Sequence, residues 1–294
     1  MPSGSLLTLD ALRAETPGSS QGRADYAVLG HPVGHSLSPR MHAAAFAEAG
    51  IAARYAALDA PPERLEEALE LLVEKGFRGW NVTVPHKQAV HAWLAARGTL
   101  APSAVEAGAV NTVARAEAGD RLTGHSTDGA GWERAVREAF GLELRGLDLL
   151  LLGAGGSGLT LARRAAAAGC RTLRVANRNP ERLDALRGLS FEAVPWEPGA
   201  LADAAAASAL VVQTTTLGLG GAEEAPPLAA FPAGPAYYDI VYGAAPTPFL
   251  RAADAAGART ADGRSMLLHQ GALAWELWTG RPAPLETMRR ALSS

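Results

Sequence analysis

The chain has 294 residues, 48% of them hydrophobic and 19% charged, which suits one large or two medium globular domains and excludes a disordered chain. A formal net charge of −3 gives no general attraction to nucleic acid or to an anionic membrane surface, so any bound anion has to be held by a local site. No apolar run approaches the length needed to cross a bilayer, the start MPSGSLLTLD lacks the regions of a signal peptide, and the one cysteine, Cys170, reads as a packed side chain in a soluble, cytoplasmic protein.

Residues 1–23 read as an extension outside the main fold, ending in the polar stretch Pro17-Gly18-Ser19-Ser20-Gln21-Gly22 and containing a short helix over 9–14. A strand follows over 26–29, then a polar loop. Ser38 reads as the N-cap of a helix with Pro39 at its first position, stopping at Gly50. A strand over 54–58 leads through Pro61-Pro62 to a helix ending near Lys75, on which Leu65, Leu69, Leu72 and Val73 recur at helical spacing. The next elements are a strand over 80–82, a helix over 86–96, a hairpin turning at 117–120, and a helix over 129–140. A second series places strands at 147–152, 172–176, 191–194, 210–213 and 237–240, with helices between. This alternation predicts an α/β protein of two α/β domains with parallel sheets, joined near Thr127. The stretch from Arg264 onward is helical and is expected to return to the first domain.

Gly153-Ala154-Gly155-Gly156-Ser157-Gly158 follows the apolar strand over 147–152 and opens a helix. In this G-x-G-x-x-G pattern the first glycine permits a tight turn, the second lets backbone approach a pyrophosphate, and the third allows close helix–strand packing. The helix N-terminus supplies free N–H groups for phosphate. Alone, such a turn is explained equally well by sterics. Its context adds Asn177-Arg178-Asn179 at the end of the next strand, with Arg182 beyond. An acid there would repel a 2′-phosphate, whereas Arg178 and Arg182 suit one, so NADP is favoured over NAD.

Four clusters carry polar residues that structural roles leave incompletely explained. Ser36 and Ser38 offer two hydroxyls to a carboxylate, and helix capping accounts for Ser38 alone. In Asn81-Val82-Thr83-Val84-Pro85-His86-Lys87 the lysine falls in the first turn of a helix, where the dipole opposes a cation. Gly108-Ala109-Val110-Asn111-Thr112 and His125-Ser126-Thr127-Asp128-Gly129 complete the set, Asp128 standing at the expected domain junction or serving as a helix cap.

The paired-serine loop, N-V-T-x-P-x-K, G-A-V-N-T, T-D-G, G-A-G-G and N-R occur in one order. They are followed by Asp239-Ile240-Val241-Tyr242, Pro246-Thr247-Pro248 and the segment Asp262-Gly263-Arg264-Ser265-Met266 through Gln270. From about Tyr26 onward the chain resembles the shikimate dehydrogenase family. The resemblance implies a substrate domain, 24–127 plus 264–294, completed by the C-terminal helices, and a Rossmann-type NADP domain, 128–263, that close over the ligand. It implies that Ser36, Ser38 and Tyr242 hold a substrate carboxylate, that Thr83, Asn111, Asp128 and Gln270 bind ring hydroxyls, and that Lys87 and Asp128 form the catalytic pair. Gly153, Ala154, Gly155, Gly156, Ser157, Asn177, Arg178, Arg182, Ile240 and Gly263 are the implied cofactor contacts, and no metal is expected.

The implied activity is the reversible NADPH-dependent reduction of 3-dehydroshikimate to shikimate in aromatic amino acid biosynthesis, by a monomer or homodimer. A cationic Lys87 polarises the ketone and donates the proton, while alcohol oxidation draws on the neutral amine and is expected to speed up with pH. Ser126 and Gln213 depart from the asparagines usual in the family. Quinate/shikimate or aminoshikimate dehydrogenation is the alternative within the enzyme class, and a non-catalytic cofactor-binding module the alternative outside it. Methylene-tetrahydrofolate dehydrogenases are related in architecture, but leave the serine pair and Gln270 unexplained.

Overall fold

The computed structural model describes residues 6–14, 24–116 and 121–293. The chain separates into two compact units, residues 1–127 with 268–294, and residues 128–267.

The first unit runs β1 (Leu6–Thr8), α1 (Leu9–Ala14), β2 (Ala24–Gly30), α2 (Ser38–Glu48), β3 (Ala53–Asp59), then a 3-10 turn at Pro62–Arg64 into α3 (Leu65–Glu74). It continues with β4 (Gly79–Val82), α4 (Lys87–Arg97), β5 (Thr99–Leu100), α5 (Pro102–Ala107), β6 (Thr112–Arg115) and β7 (Leu122–His125). The strands form a seven-stranded sheet in the order β1-β3-β2-β4-β6-β7-β5. Only β6 runs antiparallel to its neighbours, because it belongs to a hairpin with β7. The turn expected at 117–120 lies outside the described residues.

The second unit contains α6 (Asp128–Phe140), β8 (Asp148–Leu152), α7 (Gly156–Ala168), β9 (Thr172–Ala176), a 3-10 segment at Pro180–Leu186, β10 (Glu192–Val194) and α8 (Pro198–Ala206). After β11 (Leu210–Gln213) come β12 (Ala236–Asp239), α9 (Pro248–Ala255) and β13 (Arg259–Ala261). Its six strands lie in the order β10-β9-β8-β11-β12-β13, all parallel. This is the doubly wound order of a dinucleotide-binding sheet, reversing direction between β8 and β11. Helix α10 (Arg264–Thr279) starts in this unit and ends in the first, followed there by α11 (Leu285–Ser293).

The leucine run of β8 shows why the sheet has helices on both sides. Leu149 and Leu151 pack into one core with α6 and α7, whereas Leu150 and Leu152 pack into another with α8 and α9. Alternating residues of a strand face opposite ways, so an uninterrupted apolar strand needs cover on both faces. In the first unit, Ala27, Leu29, Ala56 and Leu58 share a core with α3 and α4.

Two expectations are corrected. Residues 6–14 are part of the fold: β1 pairs in parallel with β3, and Leu7, Leu9 and Leu12 are buried in the first core. Each such side chain contributes about 1.5–3 kcal/mol when removed from water. Ser38 is not an N-cap. Helix α2 begins at Ser38, after Leu37 in the right-handed region, and has no side-chain cap. The Ser36 hydroxyl instead accepts from the Ser38 N–H at 3.3 Å, closing the turn locally.

Candidate active site

In the first unit, the loops leaving β2 and β4 are held side by side. The Thr83 N–H donates to the Leu29 carbonyl at 2.9 Å, and the His31 N–H donates to the Val84 carbonyl at 3.1 Å. Gly30 permits this approach, since a Cβ there would lie 2.4 Å from the Thr83 methyl. Ser36 and Thr83, on these two loops, are half-buried, while Ser38 is buried. The His86 N–H donates to the Thr83 carbonyl at 3.0 Å, starting α4 with Lys87 as its first residue. The Lys87 carbonyl accepts from the Val110 N–H at 3.0 Å, which ties the lysine's turn to the segment carrying Asn111.

Beneath these groups lies a buried amide and hydroxyl network. The Asn111 side-chain amide donates to Thr127 Oγ1 at 2.9 Å and to Gln270 Oε1 at 3.3 Å. Asn111 Oδ1 accepts from the Thr127 N–H at 2.7 Å and from Thr112 Oγ1 at 3.1 Å. Residues 159 positions apart in the chain are thus joined directly, because α10 brings Gln270 back to the β6 side of the first unit. Gly271 lets α10 approach α2, as a Cβ there would lie 2.2 Å from Met41 Cε.

In the second unit the glycine turn sits at the C-terminal end of β8, at the point where strand order reverses. Gly153 has φ of +120°, and a Cβ on it would meet Thr214 Oγ1 at 2.7 Å. A Cβ on Gly158 would lie 2.2 Å from the Gly153 carbonyl oxygen, so the start of α7 packs against the turn only as glycine. Gly155 and Gly156 are different: nothing lies within 4 Å of a Cβ placed there. Internal packing accounts for the first pair. The open space over the second pair leaves the N-terminus of α7 clear for a phosphate, so the turn fits a dinucleotide.

The adjoining loop also fits an NADP ribose phosphate. Asn177 Oδ1 accepts from the Ala154 N–H at 2.8 Å, and its amide donates to the Asn179 carbonyl at 2.6 Å. Asn179 in turn caps the following 3-10 segment by accepting from Glu181 N–H at 3.0 Å. Nearby Arg171, Arg174 and Arg187 are paired with Asp148, Glu192 and Asp184. Arg178 and Arg182 are exposed and have no ion-pair partner among the described residues.

The segment after β12 is set by a buried carboxylate. Asp239 accepts from the Val241 N–H at 2.9 Å and from Thr247 Oγ1 at 2.6 Å. Burial pushes its pKa up to about 6, with hydrogen bonds from Thr247, Val241 and Gln213 opposing the shift. Burial likewise pushes the Tyr242 phenol up, which keeps it a neutral hydrogen-bond donor. Gly263 passes the Ile240 carbonyl so closely that a Cβ would lie 2.0 Å from its oxygen. Asp128 is buried as the first residue of α6. In the second unit, then, Asp128 and Tyr242 are positioned on separate elements, and Ile240 is beside Gly263.

Sequence reasoning passed over Tyr55, Thr112, Thr127 and Thr214 as individual residues. Thr112 and Thr127 lay inside recognised motifs. Tyr55 lies in an ordinary apolar strand and Thr214 bonds to the Leu152 and Gly153 carbonyls, contacts for which the sequence carries no signal.

The reversal point, the glycine turn and the two free arginines define a Rossmann-type dinucleotide-binding protein with a second α/β unit. The family model for the shikimate dehydrogenase substrate binding domain matches residues 28–113, and that for the shikimate 5'-dehydrogenase C-terminal domain matches residues 263–292. A shikimate dehydrogenase (NADP(+)) of Moorella thermoacetica is 44% identical over 277 residues, 90% of this chain and 91% of the relative. The solved shikimate 5-dehydrogenase of Thermus thermophilus, in complex with NADP(H) and shikimate, is 39% identical with a TM-score of 0.80, covering 92% of this chain and 98% of that one. Quinate dehydrogenase from Corynebacterium glutamicum, in complex with NAD, is 29% identical with a TM-score of 0.80, covering 92% and 98%. The chain belongs to the shikimate dehydrogenase family.

Proposed function

We propose that this protein catalyses the reversible NADPH-dependent reduction of 3-dehydroshikimate to shikimate, the carbonyl–alcohol step of aromatic amino acid biosynthesis. The observation that carries the reading is 44% identity to a shikimate dehydrogenase (NADP(+)) across 90% of the chain. When bound, the nicotinamide carries the hydride. The protein orients the ring and manages the proton. Ser36, Ser38 and Tyr242 are the proposed carboxylate ligands, and Thr83, Asn111, Asp128 and Gln270 the proposed ligands of the ring hydroxyls.

Lys87 and Asp128 are the proposed catalytic pair. As an ammonium, Lys87 polarises the substrate ketone and delivers a proton to the oxygen as it becomes an alcohol. In the reverse direction the neutral amine takes that proton back. For NADP, the proposed contacts are Gly153, Ala154, Gly155, Gly156 and Ser157 on the phosphates, Asn177, Arg178 and Arg182 at the ribose end, and Ile240 and Gly263 at the nicotinamide end. Among the described residues no helix is long and apolar enough to cross a membrane. A cytoplasmic monomer or homodimer completes the proposal.

The test is turnover of shikimate by wild type and Lys87→Ala. Wild type is expected to reduce NADP, and the variant to lose about 10²–10⁴-fold in kcat with little change in substrate binding. A silent wild type contradicts the activity, and a variant of near-normal turnover contradicts the role of Lys87.

A further inference from the structure

Arg264 is the first residue of α10, and no role in the proposed site has been given to it. The turn it stands on is firmly held. The Arg264 N–H donates to Asp262 Oδ1 at 3.0 Å, the Leu267 N–H to the Gly263 carbonyl at 2.9 Å, and the Met266 N–H to the buried Tyr238 hydroxyl at 3.2 Å. From there the guanidinium spans two acceptors: Nη1 donates to Asp262 Oδ2 at 2.5 Å, and Nη2 donates to the Gly243 carbonyl.

The chain it reaches has few other ties. One carboxylate pins both ends of the loop between β12 and α9, since Asp239 accepts from the Val241 N–H and from Thr247 Oγ1. Within the loop, the Pro246 carbonyl accepts from Arg251 Nη1 at 3.1 Å, and residues 243–246 are exposed. Among the described residues, the bond from Arg264 is the one hydrogen bond made to residues 242–245. Tyr242 thus follows a residue fixed by Asp239 and precedes a peptide fixed by a single guanidinium. Its half-buried phenol makes no hydrogen bond among the described residues, and two charges act on it. Burial raises its pKa, the Arg264 cation opposes the rise, and the Asp262 carboxylate adds to it. A cation near a phenol favours negative charge on its oxygen and so makes the O–H a better donor to an anion.

We propose that Arg264 is a positioning residue for substrate binding, its fork holding the peptide after Tyr242 against the start of α10 so that the phenol donates to the substrate carboxylate. An arginine suits the task because its planar fork meets two acceptors at once, one on each side of the gap it bridges. The inference rests on the functional reading above, in which Tyr242 is a carboxylate ligand. Gly263, between Asp262 and Arg264, is a proposed nicotinamide contact, so NADP binding serves as the control for distortion of the turn itself.

The experiment compares wild type, Arg264→Ala, Arg264→Lys, Tyr242→Phe and the double variant Arg264→Ala/Tyr242→Phe in steady-state oxidation of shikimate by NADP, with NADP binding titrated directly. The expected result is a KM for shikimate raised about tenfold in Arg264→Ala, with a smaller change in kcat and an unchanged Kd for NADP. Arg264→Lys keeps the cation but not the fork, and should raise the same KM about threefold, which decides the matter even if alanine impairs folding. Because Arg264 acts through Tyr242, the double variant should be no worse than Tyr242→Phe alone. A merely structural role predicts losses that multiply in the double variant, or a parallel weakening of NADP binding, and either result overturns the proposal. So does an unchanged KM for shikimate in Arg264→Ala, or in Arg264→Lys if alanine does not fold. A wild type inactive on shikimate overturns the functional reading and this inference together, whereas an active wild type with indifferent Arg264 variants overturns this inference alone.

Discussion

Single residues in the first unit divide into those proposed to meet a ligand and those that hold them, and His42 shows what holding requires. It is fully buried against Tyr55 and Trp278, and neither ring nitrogen has a hydrogen-bond partner among the described residues. Burial lowers its pKa to about 3, so the folded protein keeps the ring neutral while the unfolded chain protonates it near pH 6.5. The native value is the lower one. The stability His42 contributes is therefore complete above about pH 6.5 and is lost as pH falls toward about 3. Urea unfolding at about pH 7 and about pH 5 should show a loss of about 2 kcal/mol that His42→Phe abolishes. An equal loss in the variant would assign the acid sensitivity elsewhere. Of the residues of the proposed site, Ser36, Thr83, Lys87 and Asn111 lie in motifs that place polar groups where helix or strand formation does not ask for them, whereas Ser38 has a capping explanation and Gln270 enters only through the family resemblance. Tyr55 was illegible because a tyrosine in a buried strand fits the apolar pattern, and only the fold reveals that its hydroxyl meets Asn81.

At the level of elements, the turn between β8 and α7 separates sterics from ligand binding. Gly158→Ala forces a methyl group to within 2.2 Å of a carbonyl oxygen. It should lower stability by about 2–4 kcal/mol, measured by thermal or urea unfolding. Gly155→Ala meets open space at φ of −78°, so it should unfold at the wild-type midpoint yet bind NADP more weakly in a direct titration. Equal destabilisation by both would mean that the turn serves packing alone. The segment after β12 makes a second case. Asp239 has its pKa raised to about 6 from 3.8, so the native state takes up the proton first as pH falls. Its contribution then runs opposite to that of His42: stability falls as pH rises from about 4 to about 6 and is level above that. Asp239→Asn should flatten this window in urea unfolding, and an unchanged profile would contradict the assignment. The β8 leucines and the glycine turn were readable because periodicity and conformational need coincide. The helix at Leu9–Ala14 is where the sequence placed it, but its attachment was misread: the polar stretch after it suggested a detached segment, and pairing of β1 with β3 is a long-range contact that periodicity does not encode.

For the whole molecule, the alternation of strands and helices along the chain predicted both sheets, since parallel strands need helical crossovers. The lone antiparallel strand β6 was foreseen as part of a hairpin. The return of the C-terminal helices was foreseen from their position, although the hydrogen bond that makes it matter, Asn111 to Gln270, was not. NADP binding to the folded state alone should stabilise it by about 2.7 kcal/mol at a hundredfold excess over Kd. A thermal midpoint indifferent to NADP would contradict the reading of Gly155, Gly156, Arg178 and Arg182. The activity is decided by purified protein offered shikimate or quinate, each with NADP or NAD, followed by nicotinamide absorbance. NADP should be reduced rapidly with shikimate, and the other three pairs should turn over little. Preferential turnover of quinate with NAD, or no turnover in any pair, would contradict it.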